Sequence, residues 1–454
     1  MSDQTTIELD VLIIGGGIAG LWTLATLLNR GLRAGLIEAS ALGQGQTLWS
    51  QGIIHGGIKY ALTGQASSAS KAISAMPAAW QAALKGEGEV AIPTARVLSE
   101  HQLLWTTTGL LSRFSGVAAS KAIRTPVQRL DKSSRPGLFA GAPSSVDVYQ
   151  VAEPVLDVPS VVSALAKGRE NAIARVACIT GITRRAQHAR DAVRVTAQLH
   201  DGQHVAFKTR ALICCAGAGN ADLARVMHDE HDKSSSTLGS FIRMQTRPLH
   251  MLYAELPETL AAALPSRGML FGHCLGVGSV PRLTITSFSR DSTGPTHWLI
   301  GGGIAEQGVP RSASEQIEAC TKELHACLPW LSRELPSVRL FAGRIDRAEG
   351  FMPDGSRPDE PVIQHAGPII AAWPTKLAFA PLLAQRLIDQ LRERGLTINA
   401  PSPIQSAATI VAADTLAALP RAHVGTLPWE AARDAASSHE QSAVGGLGGI
   451  GGTE

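Results

Sequence analysis

The chain has 454 residues, 44% of them hydrophobic and 17% charged, with a formal net charge of +3. That length exceeds what one hydrophobic core usually supports, so two closely joined domains are expected. The small charge and the scattered Lys and Arg residues argue against a nucleic-acid partner, and no apolar run reaches the ~18–20 residues that span a bilayer. The six cysteines, Cys178, Cys214, Cys215, Cys274, Cys320 and Cys327, form no C-x-x-C pair or disulfide framework. They fit buried thiols in a reducing compartment. Met1–Leu9 is polar and carries no secretory pattern, so a cytoplasmic location is expected. Peripheral contact with the inner membrane face stays open, because an amphipathic surface helix leaves no such signature.

In chain order, Asp10–Ile14 reads as an apolar strand and Leu21–Asn29 as a helix, joined by a glycine turn. Gly15, Gly17 and Gly20 have the G-x-G-x-x-G spacing: a tight turn, close backbone approach to a pyrophosphate, and close helix–strand packing. The first-turn N–H groups of Ile18 and Ala19 would face phosphate charge. A second strand, Ala34–Glu38, ends in an acid placed to hold a ribose diol, with Ala39 beside it. Next come a glycine-rich loop to residue 60 and a helical stretch at 66–85. Val146–Asp157 is strand-like and leads into a helix over 158–168. Strands are expected at 173–179 (through Val176) and 193–199, with a hairpin turn at Asp201-Gly202. Thr209–Cys215 is a second strand running into a glycine turn at Ala216 and Gly217. Short β runs at 250–255, 282–287 and 297–300 suggest a mostly antiparallel sheet. Residues 312–336 read as helix, 361–372 as strand and 376–394 as an amphipathic helix. The tail 445–454 lacks apolar periodicity and reads as disordered.

The dinucleotide-type elements are therefore discontinuous, and β-rich segments interrupt them. This layout resembles the FAD-dependent oxidoreductases of the D-amino-acid-oxidase superfamily. Ser50-Gln-Gly-Ile-Ile-His-Gly-Gly-Ile-Lys-Tyr60 is similar to a flavin-facing loop of glycerol-3-phosphate and L-2-hydroxyglutarate dehydrogenases. Ala371–Pro381 resembles their Gly-Lys-Leu turn, which meets the flavin pyrimidine end, and Ala342-Gly-Arg344 a substrate-binding Gly-x-Arg turn. There are departures: Pro374-Thr375 replaces a Gly-Gly pair, Lys59 replaces an arginine, and the Gly-x-Arg spacing is one residue short.

The resemblance implies an α/β fold with a Rossmann-like FAD-binding domain from residues 8–85, 150–228 and 340–398. A mostly antiparallel substrate or cap domain would come from 86–149 and 229–339, and a C-terminal extension from 399–454. It implies FAD as cofactor, held by Gly15, Gly17, Ile18, Ala19, Gly20, Glu38, Ala39, Ser50, Gln51, Gly52, Ile53, Val176, Ala216, Gly217, Thr375, Lys376 and Leu377, with no metal. The expected reaction is oxidation of a small anionic CH–OH substrate, a 2-hydroxy acid or polyol phosphate, by hydride transfer to flavin N5. Electrons would pass on to quinone, another acceptor or oxygen. Oxidation of CH–NH in an amine or amino acid is the alternative, and an inactive flavin-binding subunit a second.

Such chemistry needs a proton acceptor, for which His55 is the candidate, with His250 behind it. Lys376 at a helix start would stabilise reduced flavin, and Arg344, or else Arg347, would clamp the substrate anion. Arg247, Lys59 and Tyr60 are further candidates for the substrate side. Cys214 and Cys215 read as buried hydrophobes rather than nucleophiles.

Overall fold

The computed structural model describes residues 5–57, 72–107, 127–185, 192–230, 238–277, 280–289, 293–400 and 416–430. Strand β1 (Thr5–Ile14), helix α1 (Ile18–Asn29) and strand β2 (Ala34–Glu38) form the expected βαβ unit, with β1 and β2 parallel. Gly15 makes the turn at φ +111°, where an added Cβ would sit 2.5 Å from the Cys215 carbonyl oxygen. A Cβ on Gly20 would fall 1.9 Å from the Gly15 oxygen, so helix and strand meet here backbone to backbone.

These strands belong to a nine-stranded sheet. Its other members, numbered in chain order, are β8 (Ile173–Arg175), β9 (Cys178–Arg184), β10 (Val193–Gln198), β11 (His204–Cys214), β12 (Met227–Asp229), β18 (Val362–Ala366) and β19 (Ile369–Trp373). Five run parallel in the order β8-β2-β1-β11-β19. The second sheet has eight strands, ordered β17-β13-β16-β15-β14-β4-β6-β5. These are β4 (Gln102–Thr106), β5 (Val127–Arg129), β6 (Asp147–Val151), β13 (Met244–Leu256), β14 (Phe271–Cys274), β15 (Leu283–Phe288), β16 (Thr296–Gly301) and β17 (Arg339–Gly350). A short pair, β3 (Val97–Ser99) with β7 (Val155–Leu156), links the two sheets. Among the described residues the remaining α-helices are α2 (Met76–Lys85), α3 (Val158–Ala166), α4 (Asn220–Arg225), α5 (Glu258–Ala263), α6 (Gly303–Gln307), α7 (Ala313–Cys327) and α8 (Ala380–Glu393).

The parallel strands are apolar on both faces because both are covered. Val11, Ile13, Leu36 and Ile213 pack against α1, α2, α3 and α8 through Leu24, Trp80, Val161 and Leu387. Leu12, Ile14 and Leu212 face Val195, Phe207, Trp373 and Leu416. The second sheet buries Leu252, Ile285 and Ile300 against Leu324 and Cys327 of α7. A Ser312–Glu315 capping box starts α7, as that sequence pattern dictates.

Three readings of the sequence change. The run 173–179 is two strands, broken at Val176-Ala177, and 361–372 is a hairpin turning at Gly367, φ +61°. Strand β17 lies wholly in the second sheet, so the third segment of the first sheet starts at β18 rather than at residue 340. The expected disordered tail 445–454, together with Lys59 and Tyr60, falls outside the described residues.

Candidate flavin and substrate site

The cofactor candidates gather at the carboxyl ends of the five parallel strands. Gly15 and Gly17 follow β1, Glu38 and Ala39 end β2, Val176 follows β8, Ala216 and Gly217 follow β11, and Thr375 to Leu377 follow β19. In open parallel sheets this is where ligands bind. Glu38 ends β2 with its carboxylate accepting from the Gly16 N–H (2.5 Å) and the Ser40 N–H (2.8 Å). Val176 ties in through its N–H to the Glu38 carbonyl (3.0 Å). At the start of α1 no side chain caps Gly17. The Ile18 N–H is taken by Thr47 Oγ1 (3.1 Å), and Ala19 is buried beside it.

Two observations fit this cradle to a dinucleotide. A Cβ on Gly217 would meet nothing within 4 Å, so backbone borders open space there. The Ser50 hydroxyl, in the loop between β2 and the site, is buried with no partner among the described residues. Thr375 holds φ +63°, a left-handed conformation costly for a β-branched residue. It stands where the resembling families carry glycine, so the backbone shape survives the substitution. Its hydroxyl donates to the Glu360 carbonyl (3.0 Å). Lys376 leads the next turn with Leu377 half-buried, and its Nζ lies 5.3 Å from the Phe379 ring centre.

The loop from Ser50 to Gly57 runs under the second sheet. Gly52 (φ +68°) lets it touch Leu156, and Ile53 bridges to Val155. Gln51 lies among Thr286 Oγ1 (2.5 Å), the Leu299 carbonyl (3.2 Å) and the Gly301 N–H (3.2 Å) in the orientation that satisfies both ends of its amide. His55 is 40% exposed; its ring stacks on His273 at 5.5 Å, and its Nδ1 lies 3.3 Å from Glu153 Oε2. Glu153 is fully buried. It also accepts from the Gly56 N–H (2.5 Å) and from the Gln102 amide. Sequence reasoning found His55 but missed Glu153, Gln102 and His273, which lie far along the chain and carry no local motif.

Strand parity separates the arginine candidates. Successive side chains on β13 and β17 point to opposite faces. A Cβ on Gly343 would strike Trp49, and Met251 packs beside Gly301 and Gln51, so the odd-numbered positions face the loop. Arg344 and His250 pair in register on the other face. Arg344 donates to the Val309 (2.7 Å) and Arg311 (2.6 Å) carbonyls, and His250 Nδ1 lies 3.0 Å from the Gly308 carbonyl. Both brace the connection between α6 and α7, so the structure gives neither a place in the site. Arg247 and Arg347 are register partners on the loop-facing side. Buried Glu349 holds Arg247 with both oxygens (2.8 and 3.0 Å). Among the described residues Arg347 pairs with Glu306, at 3.4 Å, and its Nε is buried without a hydrogen-bond partner. Burial and the facing Arg247 push its guanidinium below the ordinary arginine value.

Burial pushes the Cys214 thiol far up and that of Cys215 to about 12, so neither is a nucleophile at neutral pH. Among the described residues no cluster of His, Cys, Asp or Glu is placed to hold a metal ion, and no helix is long and apolar enough to cross a membrane.

Residues 10–406 match the family model described as FAD dependent oxidoreductase. The chain is 36% identical over 425 residues, 93% of its length and 98% of the relative's, to a probable FAD-dependent oxidoreductase, PA4991, of Pseudomonas aeruginosa. That protein's crystal structure covers 94% of this chain and 99% of its own, with a TM-score of 0.71. A shorter stretch of 56 residues, 12% of this chain and 11% of the relative, is 41% identical to glycerol-3-phosphate dehydrogenase 1 of Mycobacterium tuberculosis. The fold is shared with L-α-glycerophosphate oxidase of Mycoplasma pneumoniae, solved with FAD bound (TM-score 0.60, 16% identity, 88% of this chain and 98% of that one). It is shared equally with glycine oxidase of Geobacillus kaustophilus (TM-score 0.58, 13% identity, 88% and 100%).

Proposed function

The chain belongs to the family of FAD-dependent oxidoreductases that its residues 10–406 match, and we propose that it oxidises a CH–OH group in a small anionic substrate. When bound, FAD supplies the two-electron acceptor. Glu38 would hold the ribose, the α1 N-terminus and Gly217 the pyrophosphate, and the 50–53 loop with Thr375–Leu377 the ring.

The observation that carries the CH–OH reading is the His55–Glu153 pair. An alcohol becomes a carbonyl only if its hydroxyl proton leaves with the hydride, whereas a neutral amine can give up a hydride without first losing a proton. An imidazole whose Nδ1 faces a carboxylate keeps Nε2 available to accept that proton. Arg347, with Arg247 beside it, supplies the anion subsite. His273, against which His55 stacks, lies on β14. That strand is four places in the sheet order from β17, which carries Arg347, about 19 Å at ~4.8 Å per strand, and Arg347 stands four residues along β17 from the level of His273. Such a spacing favours a substrate whose anionic group stands several bonds from the reacting carbon. A polyol phosphate or a longer hydroxy acid fits better than the smallest 2-hydroxy acids.

The test is anaerobic bleaching of the flavin absorbance against hydroxy acids, polyol phosphates, amines and amino acids. Bleaching by an anionic alcohol is expected. Bleaching by amines alone would refute the CH–OH reading, and bleaching by nothing would favour an inactive flavin-binding subunit. Reoxidation by a quinone analogue or by oxygen then identifies the acceptor; peripheral membrane contact belongs to the quinone case.

A further inference from the structure

We infer that Glu153 is the positioning residue of the site, fixing the tautomer of His55 so that Nε2 carries the lone pair. The inference rests on the reading of His55 as proton acceptor but is tested separately from it. Chain topology makes the contact. Past β6, the segment 153–156 runs against 52–54: the Ile54 N–H donates to the Pro154 carbonyl (2.9 Å) and the Leu156 N–H to the Gly52 carbonyl (2.9 Å). This brings Glu153, fully buried, under the imidazole.

Among the described residues the carboxylate's hydrogen-bond partners can each donate. Oε1 takes the Gly56 N–H, and Oε2 takes the Gln102 amide and faces His55 Nδ1. A carboxylate offers only acceptors, so Nδ1 must carry the proton and Nε2 the lone pair. Among the described residues its only ion-pair partner is His55. A buried carboxylate without a cation is costly. Once Nε2 has taken the substrate's hydroxyl proton, the imidazolium supplies the missing charge beside it. The positioning and the proton transfer thus support each other.

Glu153→Gln is the informative variant, because the fold has a place for it. Gln102 Oε1 is buried without a partner. A turn of the Gln102 amide lets that oxygen accept the new side chain's N–H, while the new carbonyl keeps the Gly56 N–H. His55 Nδ1 then faces a donor, and the imidazole must carry its proton on Nε2, where it cannot act as a base.

In the holoenzyme with 15N-labelled histidine, the His55 resonances should show Nδ1–H in the native protein and Nε2–H in E153Q. Flavin reduction should slow by roughly 10²–10⁴-fold, the usual worth of general-base help, with little change in substrate binding. In a His55→Ala background Glu153→Gln should cost nothing further, since a residue acting through another has no effect once that residue is gone. An unchanged tautomer in E153Q, or an equal loss of rate in the His55→Ala background, overturns the positioning role. A His55→Ala protein that reduces flavin at the native rate overturns instead the reading of His55 as base.

Discussion

Replacing Arg347 tests the assignment of the anion subsite, because the sheet supplies its own control. Arg247 and Arg347 sit opposite each other with one buried carboxylate, Glu349, committed to Arg247. Glu306, at 3.4 Å and 39% exposed, offsets Arg347 only weakly. The loop-facing side of β13 and β17 therefore presents a guanidinium that its ion pair offsets only weakly and whose Nε has no hydrogen-bond partner among the described residues. A charge-assisted hydrogen bond to an anion contributes ~1.5–3 kcal/mol. At 1.36 kcal/mol per decade, Arg347→Ala should lower kcat/KM about 10- to 150-fold on an anionic substrate. An anion distant from the reacting carbon is bound alike in ground and transition states, so the loss should fall on KM with kcat nearly unchanged. Arg347→Lys should recover only part of it, since the ammonium lacks the planar fork. Arg344→Ala, three residues away on the opposite face, should leave KM unchanged and lower thermal stability instead. It removes two donors from the Val309 and Arg311 carbonyls. Stopped-flow flavin reduction over a substrate concentration series separates the two parameters. A raised KM in Arg344→Ala together with a native KM in Arg347→Ala would refute the parity argument outright.

Glu38→Ala should weaken FAD retention by about one to two decades, the worth of a carboxylate's hydrogen bonds to a ribose diol. Equilibrium dialysis of the flavin measures it, and native affinity would place Glu38 away from the ribose. Thr375→Gly should leave the melting temperature nearly unchanged, because relief of ~1–2 kcal/mol of left-handed strain offsets the lost bond to Glu360 and the greater unfolded entropy. Thr375→Val keeps the strain and loses the bond, so it should melt lower than the native protein; the reverse order of the two variants would contradict this. Trp429→Ala should speed FAD release. The segment 416–430 crosses from Leu416, packed on Gly35, past the Pro420 carbonyl accepting from the Arg175 N–H (2.6 Å) and His423–Gly425 bonded to Leu42. It ends at Trp429, stacked 5.2 Å from His297 in the second sheet. It thus passes the carboxyl ends of β2 and β8, where Glu38 would hold the adenosine ribose, and an unaltered FAD release rate would deny it that role.

The parallel core was legible because its signals are local. The glycine spacing, the acid closing β2 and the strand into Ala216-Gly217 each lie within one element, and each landed at a strand's carboxyl end. The His55–Glu153 pair was not legible. Glu153 is 98 residues from His55, and the pairing of 52–54 with 154–156 brings them together. The face of β17 was not legible for a different reason. Ala342-Gly-Arg-Ile-Asp-Arg347 has polar residues on both faces, so alternation alone does not say which side is buried. Trp49 against Gly343 decides the face, and that contact joins the loop after β2 to a strand of the second sheet. The run 361–372 failed because an apolar hairpin with a Gly-Pro turn has the same composition as one longer strand.

The discontinuity of the chain follows from what the site requires. Several candidate groups lie on segments where the chain leaves one sheet: the loop after β2 carries Ser50 to His55, the link from β6 to β7 carries Glu153, and the turns after β11 and β19 carry Gly217 and Thr375. A ring cofactor sandwiched between a parallel sheet and an antiparallel roof needs groups from both sides at once. Crossing segments supply them without either sheet having to deform. The cost is non-local folding: β1 must pair with β11 about 200 residues later, and β11 with β19 about 157 later, before the cradle exists. Such pairings carry loop-closure entropy that only the completed core repays. Neither sheet therefore holds a half-site that works alone, and excising the roof should remove His55's register and the flavin pocket together.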